Sequence, residues 1–382
     1  MRDDFLLDPS VVHLNHGSFG AVPRRVAEEQ QRIRDRAEAN PMRFFRVESP
    51  GLRAEARHVA AAFLGVGADE VALVRNVTEA ISTVLAGLAL QGRLGSGDVV
   101  VLSSQSYGAV QRAVARWCER TGASYDLVHL PVGGEDVVEA HRAALARAAA
   151  AGRRVRLVVV DHITSPTGTV LPVAEVAAAA RDAGALTFVD AAHVPGHLPA
   201  EPAATGADFW SGTWHKWGFA PRGTTGLWVA EPERESLEPL TTSWNDGLAF
   251  PQPFDMRGTD DYSAWMCLRT AVEFWEDAGG PAIAERAVGL LDKAAAVVSS
   301  ALPAVDAPVP ATPAPCLRLV PLPEGVAATL EDADVLYQRL SALGVETQVT
   351  PYDGRGHLRL SAAVYNDIDD YERLAEVLPA AL

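Results

Sequence analysis

Leu186-Thr187-Phe188-Val189-Asp190-Ala191-Ala192-His193, followed by Ser211-Gly212-Thr213-Trp214-His215-Lys216-Trp217-Gly218, decides how this chain folds. Each reads as a short apolar strand that ends at a chemically useful side chain. The same pattern extends upstream, where runs at Val71–Val74, Val99–Leu102, Ser124–Leu130 and Val155–Val160 precede those at Ala185–Val189, Phe209–Gly212 and Gly226–Val229. Helical stretches lie between them at Thr78–Leu90, Tyr107–Arg120, near Glu139–Ala151 and at Val173–Asp182. Short apolar runs separated by helices predict an α/β fold, a mostly parallel sheet with helices on both faces.

Before this region, a polar helix over Arg24–Ala39 stops at Asn40-Pro41 and a second helix covers Leu52–Leu64. Beyond about Ala230 the texture becomes a Trp/Pro/Asp-rich connection. Helices at Tyr262–Ala278 and Pro281–Ala301 follow, then a proline-dense linker from Pro303 to Pro315. The last portion reads strand, helix, strand, strand, helix at Cys316–Val320, Leu330–Leu343, Glu346–Val349, His357–Ser361 and Ile368–Leu378, which suits a small α+β domain. The chain therefore divides into an N-terminal segment (1–22), a large α/β domain (23–260), and connecting helices with a small C-terminal domain (261–382).

The 382 residues carry 33 basic and 49 acidic side chains, a net charge of −16, so nucleic-acid backbones and anionic membranes are repelled on average. With 48% hydrophobic and 21% charged residues the composition is that of an ordinary soluble protein. Cys118, Cys267 and Cys316 are far apart and never form a CxxC pair, which argues against a disulfide framework or a structural zinc. The start Met1-Arg2-Asp3-Asp4 has no apolar h-region and no run suits a membrane span, so a cytoplasmic location is expected. Basic charge is almost all arginine: the only lysines are Lys216 and Lys293.

Lys216 sits among tryptophans and small residues, surroundings that desolvate an ammonium and lower its pKa, as a Schiff-base lysine requires. The same surroundings suit a lysine snorkelling past tryptophans to water. Asp190, directly after a strand, can pair with a pyridinium nitrogen or simply cap a helix. Asn76-Val77-Thr78-Glu79 opens a helix after Val71–Val74; its free amides can bind phosphate, and Thr78 can equally be a plain N-cap. Tyr107 can stack on a flat ring or anchor a helix start. Asp161-His162-Ile163-Thr164-Ser165-Pro166-Thr167-Gly168 offers the hydroxyls of Thr164 and Ser165 to a ring oxygen, or forms a capped turn. Arg359, in a β-like alternation, can grip a carboxylate or face water. No HExxH or similar cluster suggests a metal, and no GxSxG suggests a serine hydrolase.

Taken together, these stretches resemble the aminotransferase class V group of fold-type I pyridoxal-phosphate (PLP) enzymes, in the isopenicillin N epimerase-like branch. The resemblance runs from about Leu14 to Asn366. It rests on Leu-Asn-His-Gly-Ser-Phe-Gly at 14–20, Asn-Val-Thr-Glu at 76–79, Ser-Tyr-Gly-Ala at 106–109 and Thr-Ser-Pro-Thr-Gly at 164–168. Val-Asp-Ala-Ala-His at 189–193, Trp-His-Lys-Trp at 214–217, Arg-Gly-Thr-Asp at 257–260 and Arg-Leu-Ser-Ala-Ala-Val-Tyr-Asn at 359–366 complete it. It implies the cofactor pyridoxal 5'-phosphate held as a Schiff base by Lys216, nitrogen pairing by Asp190, and ring contacts from Tyr107 and His193. It also implies phosphate contacts from Val77, Thr78, Thr213 and His215, with Asn76 at the cofactor site beside them, and a homodimer in which Gly258 and Thr259 reach the neighbouring subunit's phosphate. Arg359 matches the carboxylate-binding arginine, and Asn15 and His16 match the substrate-side loop. The chain departs from many relatives in carrying Ala191, not glycine, after Asp190.

Removal of a Cα proton from an amino acid or amino-acid conjugate is the step such enzymes share. It branches into β-elimination, epimerisation and transamination. We expect β-elimination from an S-substituted cysteine, because no cysteine of this chain lies where a desulfurase carries its sulfur acceptor. An epimerase is the alternative, with His16 or Tyr107 as second proton donor, and an aminotransferase follows. A catalytically silent module that only binds ligand is disfavoured by Lys216 and Asp190 together.

Overall fold

The apolar runs between Val71 and Val229 become one seven-stranded sheet. A computed structural model describes residues 1–133 and 136–382. Its strands are β1 (Val12–His13), β2 (Val71–Val74), β3 (Asp98–Ser103), β4 (Ser124–Val128), β5 (Arg154–Asp161), β6 (Leu186–Ala191), β7 (Phe209–Thr213), β8 (Thr225–Val229), β9 (Leu317–Pro321), β10 (Val345–Glu346), β11 (Gln348–Tyr352) and β12 (Arg355–Ser361). The large sheet has the order β2-β8-β7-β6-β5-β3-β4. Strands β3 to β7 pair in parallel, and β8 runs antiparallel to both β7 and β2, so β8 alone is reversed.

Alternation within the strands shows why both faces are covered. Leu157 and Val159 of β5 join one apolar cluster with Val100, Leu102 and Phe188, while Val158 and Val160 join the other with Val101 and Val189. Each such side chain, fully removed from water, contributes roughly 1.5–3 kcal/mol of transfer free energy. Only β4, at the edge, exposes alternate residues (Tyr125 and Leu127), as an edge strand with one solvated face should.

The helices Arg24–Ala39 and Val173–Asp182 have the bounds expected from sequence. Other expectations change. The chain does not simply stop at Asn40-Pro41: the Asn40 side chain accepts from the Arg43 amide at 3.1 Å and starts a new turn, which continues through Phe44–Glu48 into the helix Ser49–Leu64. The helix expected over 262–278 is two, Ser263–Met266 and Leu268–Asp277. The strand expected at Glu346–Val349 is also two, because Val345–Glu346 pairs with β1 while Gln348–Tyr352 joins β12.

That last split ties the ends of the chain together. β1 pairs in parallel with β10, the Ser361 amide donates to the Leu14 carbonyl at 3.1 Å, and the His16 amide donates to Ser361 Oγ at 2.8 Å. The N-terminal segment is thus stapled to the end of β12, the middle strand of the antiparallel sheet β11-β12-β9. From there it crosses to the loop after β7. At Gly20, with φ +67°, a Cβ would lie 2.0 Å from the His215 carbonyl oxygen, so only glycine permits this approach of two backbones. Among the described residues, no helix is long and apolar enough to cross a membrane.

Candidate active site

Parallel strands end together, and a sheet of this kind offers its carboxyl edge to ligands. β7 ends at Thr213 and passes into a turn that presents Lys216. The turn is held by Trp214, whose amide donates to the Thr224 carbonyl and whose carbonyl accepts from the Ala220 amide. Trp214 and Trp217 are buried, and Lys216 is partly so. The Lys216 Nζ lies 3.1 Å from His193 Nε2. Desolvation, reinforced by the nearby Arg359 charge, pushes this amine down to about 8 against the opposing pull of Asp190 and Asp161. His193 is buried and held well below the ordinary histidine range, first by desolvation and then by the Lys216 and Arg359 charges.

Asp190 lies within β6 near its carboxyl end, and its Oδ1 accepts from the Ala192 amide at 3.0 Å. Its register partner on β5 is Asp161, a second buried carboxyl. Burial raises both. Asp161 is raised well above the carboxylate range, first by burial and then by the Asp190 charge. Asp161 Oδ2 accepts from Ser106 Oγ at 2.8 Å, which fastens the loop leading to Tyr107. Tyr107 itself stands 51% exposed at the mouth.

The helix Val77–Leu90 begins beside this edge. Asn76 Oδ1 caps the Glu79 amide at 2.8 Å, and the amides of Val77 and Thr78, in the first turn, have no intrahelical acceptor. Such amides, at the positive end of a helix, are able to bind an anion. A chain of hydroxyls runs from Thr225 to His215: Thr225 Oγ1 lies 2.9 Å from Thr213 Oγ1 and 3.3 Å from the Arg75 carbonyl, either of which can accept its single proton, and Thr213 Oγ1 lies 2.6 Å from His215 Nδ1. The loop bearing Gly258 and Thr259 packs nearby, since Arg257 pairs with Glu79 at 3.5 Å and Arg75 with Asp260 at 2.6 Å; Thr259 is exposed.

On the opposite side Arg359 is buried on β12. Its guanidinium donates to the Ser165 carbonyl, to Asn15 Oδ1 at 3.2 Å and to Ser18 Oγ at 3.2 Å, and Nε has no partner. Burial lowers its pKa to about 10. A buried cation whose described partners are all neutral oxygens is a receptor for an anion.

Two expected site residues have other employment. His16 is buried, with Nδ1 3.0 Å from the Tyr365 hydroxyl and Nε2 2.9 Å from the Lys216 carbonyl, so it tethers the N-terminal segment and has no ring nitrogen left for a substrate. The Thr164 hydroxyl lies 2.6 Å from that of Thr167 and accepts from the Thr169 amide at 2.9 Å, closing its own turn. Ser165 contributes its backbone carbonyl to Arg359.

Three residues were not foreseen as parts of the site. Gln348, opposite Arg359 in register, accepts from Asn15 Nδ2 at 3.3 Å. The signal that would have found it is Asp353-Gly354, both at positive φ, a tight hairpin turn that sets the register of β11 and β12. Ser18 was quoted within 14–20 but not singled out. Asp161 carried the same signal as Asp190, an aspartate directly after an apolar run.

Residues 21–374 match the family described as aminotransferase class-V. The chain belongs to this family. It is similar to isopenicillin N epimerase of Streptomyces clavuligerus, 32% identical over 99% of this chain and 97% of that one. It is also similar to a putative L-cysteine desulfhydrase of Oryza sativa subsp. japonica, 31% identical over 97% of this chain and 83% of that one. An apo cysteine desulfurase structure from Thermococcus onnurineus superposes with a TM-score of 0.79 at 18% identity, covering 99% of this chain and 96% of that one, which shows the shared fold.

As a class-V enzyme the protein uses pyridoxal 5'-phosphate, and the donor set fits that group. It offers an amine depressed toward neutrality, a buried carboxyl, open helix amides and an arginine with no counterion among the described residues. Since Lys216 titrates lower folded than its ordinary 10.5, the unfolded chain binds more protons between about pH 8 and 10.5. The Lys216 contribution is therefore most unfavourable below pH 8 and is relieved as pH rises through that window. Urea denaturation of the apoprotein should show the stability deficit against Lys216→Met shrinking from pH 8 to 10.5; a constant difference would contradict the burial argument.

Proposed function

We propose that this class-V enzyme cleaves the bond between Cβ and sulfur in cysteine or an S-substituted cysteine, consuming water and releasing pyruvate, ammonia and the thiol. The observation that carries the reading is the pairing of a proton-accepting amine, Lys216, with the buried guanidinium of Arg359, whose partners among the described residues are all neutral oxygens. Bound pyridoxal phosphate supplies an electron-withdrawing ring that acidifies the Cα proton of an attached amino acid. Lys216 holds the cofactor and accepts that proton at Nζ, a task suited to an amine titrating near 8. The proton it gains balances the one taken up by the departing sulfur. Arg359 grips the substrate carboxylate through its fork, with Asn15, Ser18 and Gln348 fixing its plane. Asp190 provides the anion for the ring nitrogen, Val77, Thr78, Thr213 and His215 the phosphate contacts, and Tyr107 and His193 the walls of the ring site.

Elimination is favoured over sulfur transfer to the protein because all three cysteines are buried and burial raises each thiol, Cys118 to about 11 and Cys267 to about 12. A nucleophilic thiolate is unavailable. The relatives named L-cysteine desulfhydrase agree with this choice. Epimerisation is the second reading, carried by the similarity to isopenicillin N epimerase. It needs a proton from the face opposite Lys216, and His16 has both ring nitrogens engaged.

Incubating the holoenzyme in deuterated water with cysteine, S-substituted cysteines and a panel of other amino acids separates the two. Pyruvate with free thiol or sulfide is the expected result. Deuterium at Cα with inverted configuration and no bond cleavage would overturn it in favour of epimerisation.

Thr259 is exposed, as a residue that meets a neighbouring subunit would be, which supports a homodimer with shared sites. Exposed Leu240, Trp244 and Leu248 add apolar surface for its interface. Analytical ultracentrifugation should return twice the chain mass; a monomer at working concentration would exclude sharing.

A further inference from the structure

Trp217 follows the reactive lysine directly, and its indole makes a bond that the chemistry above does not use. Trp217 Nε1 donates to His193 Nδ1 at 3.2 Å, and the other nitrogen of the same imidazole, Nε2, faces Lys216 Nζ at 3.1 Å. An indole N–H can only donate, so His193 Nδ1 must be an acceptor and carries no proton. The single proton of a neutral imidazole then sits on Nε2, aimed at the lysine nitrogen. A group that receives this N–H offers a lone pair, which a free amine has and an ammonium lacks. We propose that Trp217 is a positioning residue that fixes the tautomer of His193 and thereby favours the free base of Lys216 over its ammonium.

The indole is pinned for this task. Its ring packs between His16 and His197, with centroids 5.2 and 4.8 Å away. At Gly17 a Cβ would approach Trp217 to 3.2 Å and the His193 ring to 3.5 Å, and at Gly196 it would lie 2.3 Å from the Trp217 carbonyl oxygen. Other charges act on the pair from neighbouring elements. Arg359 from β12 disfavours the ammonium, Asp190 and Asp161 from β6 and β5 favour it, and His197 and His215 act on His193. Because imidazole and amine meet directly, the tautomer decides which way that contact pushes. With Nδ1 free of its indole partner, the imidazole can carry its proton there and accept from an ammonium at Nε2.

The inference rests on Lys216 as the cofactor lysine, and its test separates the two ideas. In loading, the amine nitrogen bonds the aldehyde carbon of pyridoxal phosphate and the aldehyde oxygen leaves as water, so the rate follows the free-base fraction. Trp217→Phe keeps an aromatic ring and loses the N–H. The pH at which the apoprotein loads at half its maximal rate, read from visible absorbance, should rise by about one unit. In a His193→Asn background the same exchange should produce no shift. Histidine-selective nitrogen NMR of the wild-type apoprotein, with His193 assigned by its loss in His193→Asn, reads the tautomer without touching Trp217 and without cofactor. It should show Nε2 protonated and Nδ1 bare. A protonated Nδ1, or a loading midpoint that stays or falls in Trp217→Phe, would overturn the proposal, whereas failure of every variant to load would instead strike at the role of Lys216.

Discussion

Taking an amine out of water favours its neutral form, and the site is arranged around that bias at Lys216. Tryptophans 214 and 217 exclude solvent around the turn, Arg359 adds a repelling charge, and Asp190 and Asp161 pull the other way. The outcome, an amine pushed down to about 8, is a compromise between these opposing influences. A lysine left at its ordinary value would be almost wholly protonated at neutral pH and could neither hold an aldehyde nor accept a proton. Most of the fold contacts described above serve to keep these groups in place.

The supporting arrangement is spread along the whole chain. Asp190 lies on β6 and Lys216 in the turn that follows the adjacent β7, while Arg359 belongs to the antiparallel sheet at the other end of the sequence. What brings Arg359 to them is the N-terminal segment. It pairs with β10, hands its Leu14 carbonyl to Ser361, donates through His16 to the Lys216 carbonyl, and approaches His215 so closely at Gly20 that no side chain fits. The turn at 164–170 is fixed in turn by the proline-rich linker, through Val170 to Thr312 and Ala314 to Gly168. Ser165 is thereby held against Arg359.

Buried strands announce themselves because both of their faces must be apolar, and β2, β3, β5, β6 and β7 were legible for that reason. Asp190 and Lys216 were legible because each follows such a run closely. What sequence could not show are pairings between distant segments. β1 is two residues long and its partner lies near the other end of the chain, so no local periodicity marks it. His16 looked like a substrate ligand because nothing in Leu14–Gly20 reveals that Tyr365 and the Lys216 carbonyl claim its ring. Trp217 was read as apolar surroundings for the lysine, and only the fold shows its N–H aimed at His193.

The central claim is that Lys216 carries the cofactor because burial has made it the reactive amine of this chain. The chain has two lysines, and Lys293 is exposed on a helix. Borohydride reduction of the holoenzyme, followed by peptide mapping by mass spectrometry, tests the claim most directly. The account predicts a pyridoxyl group on the peptide containing Lys216 and none on that containing Lys293. A label on Lys293 or on the N-terminal amine, with Lys216 unmodified, would contradict it.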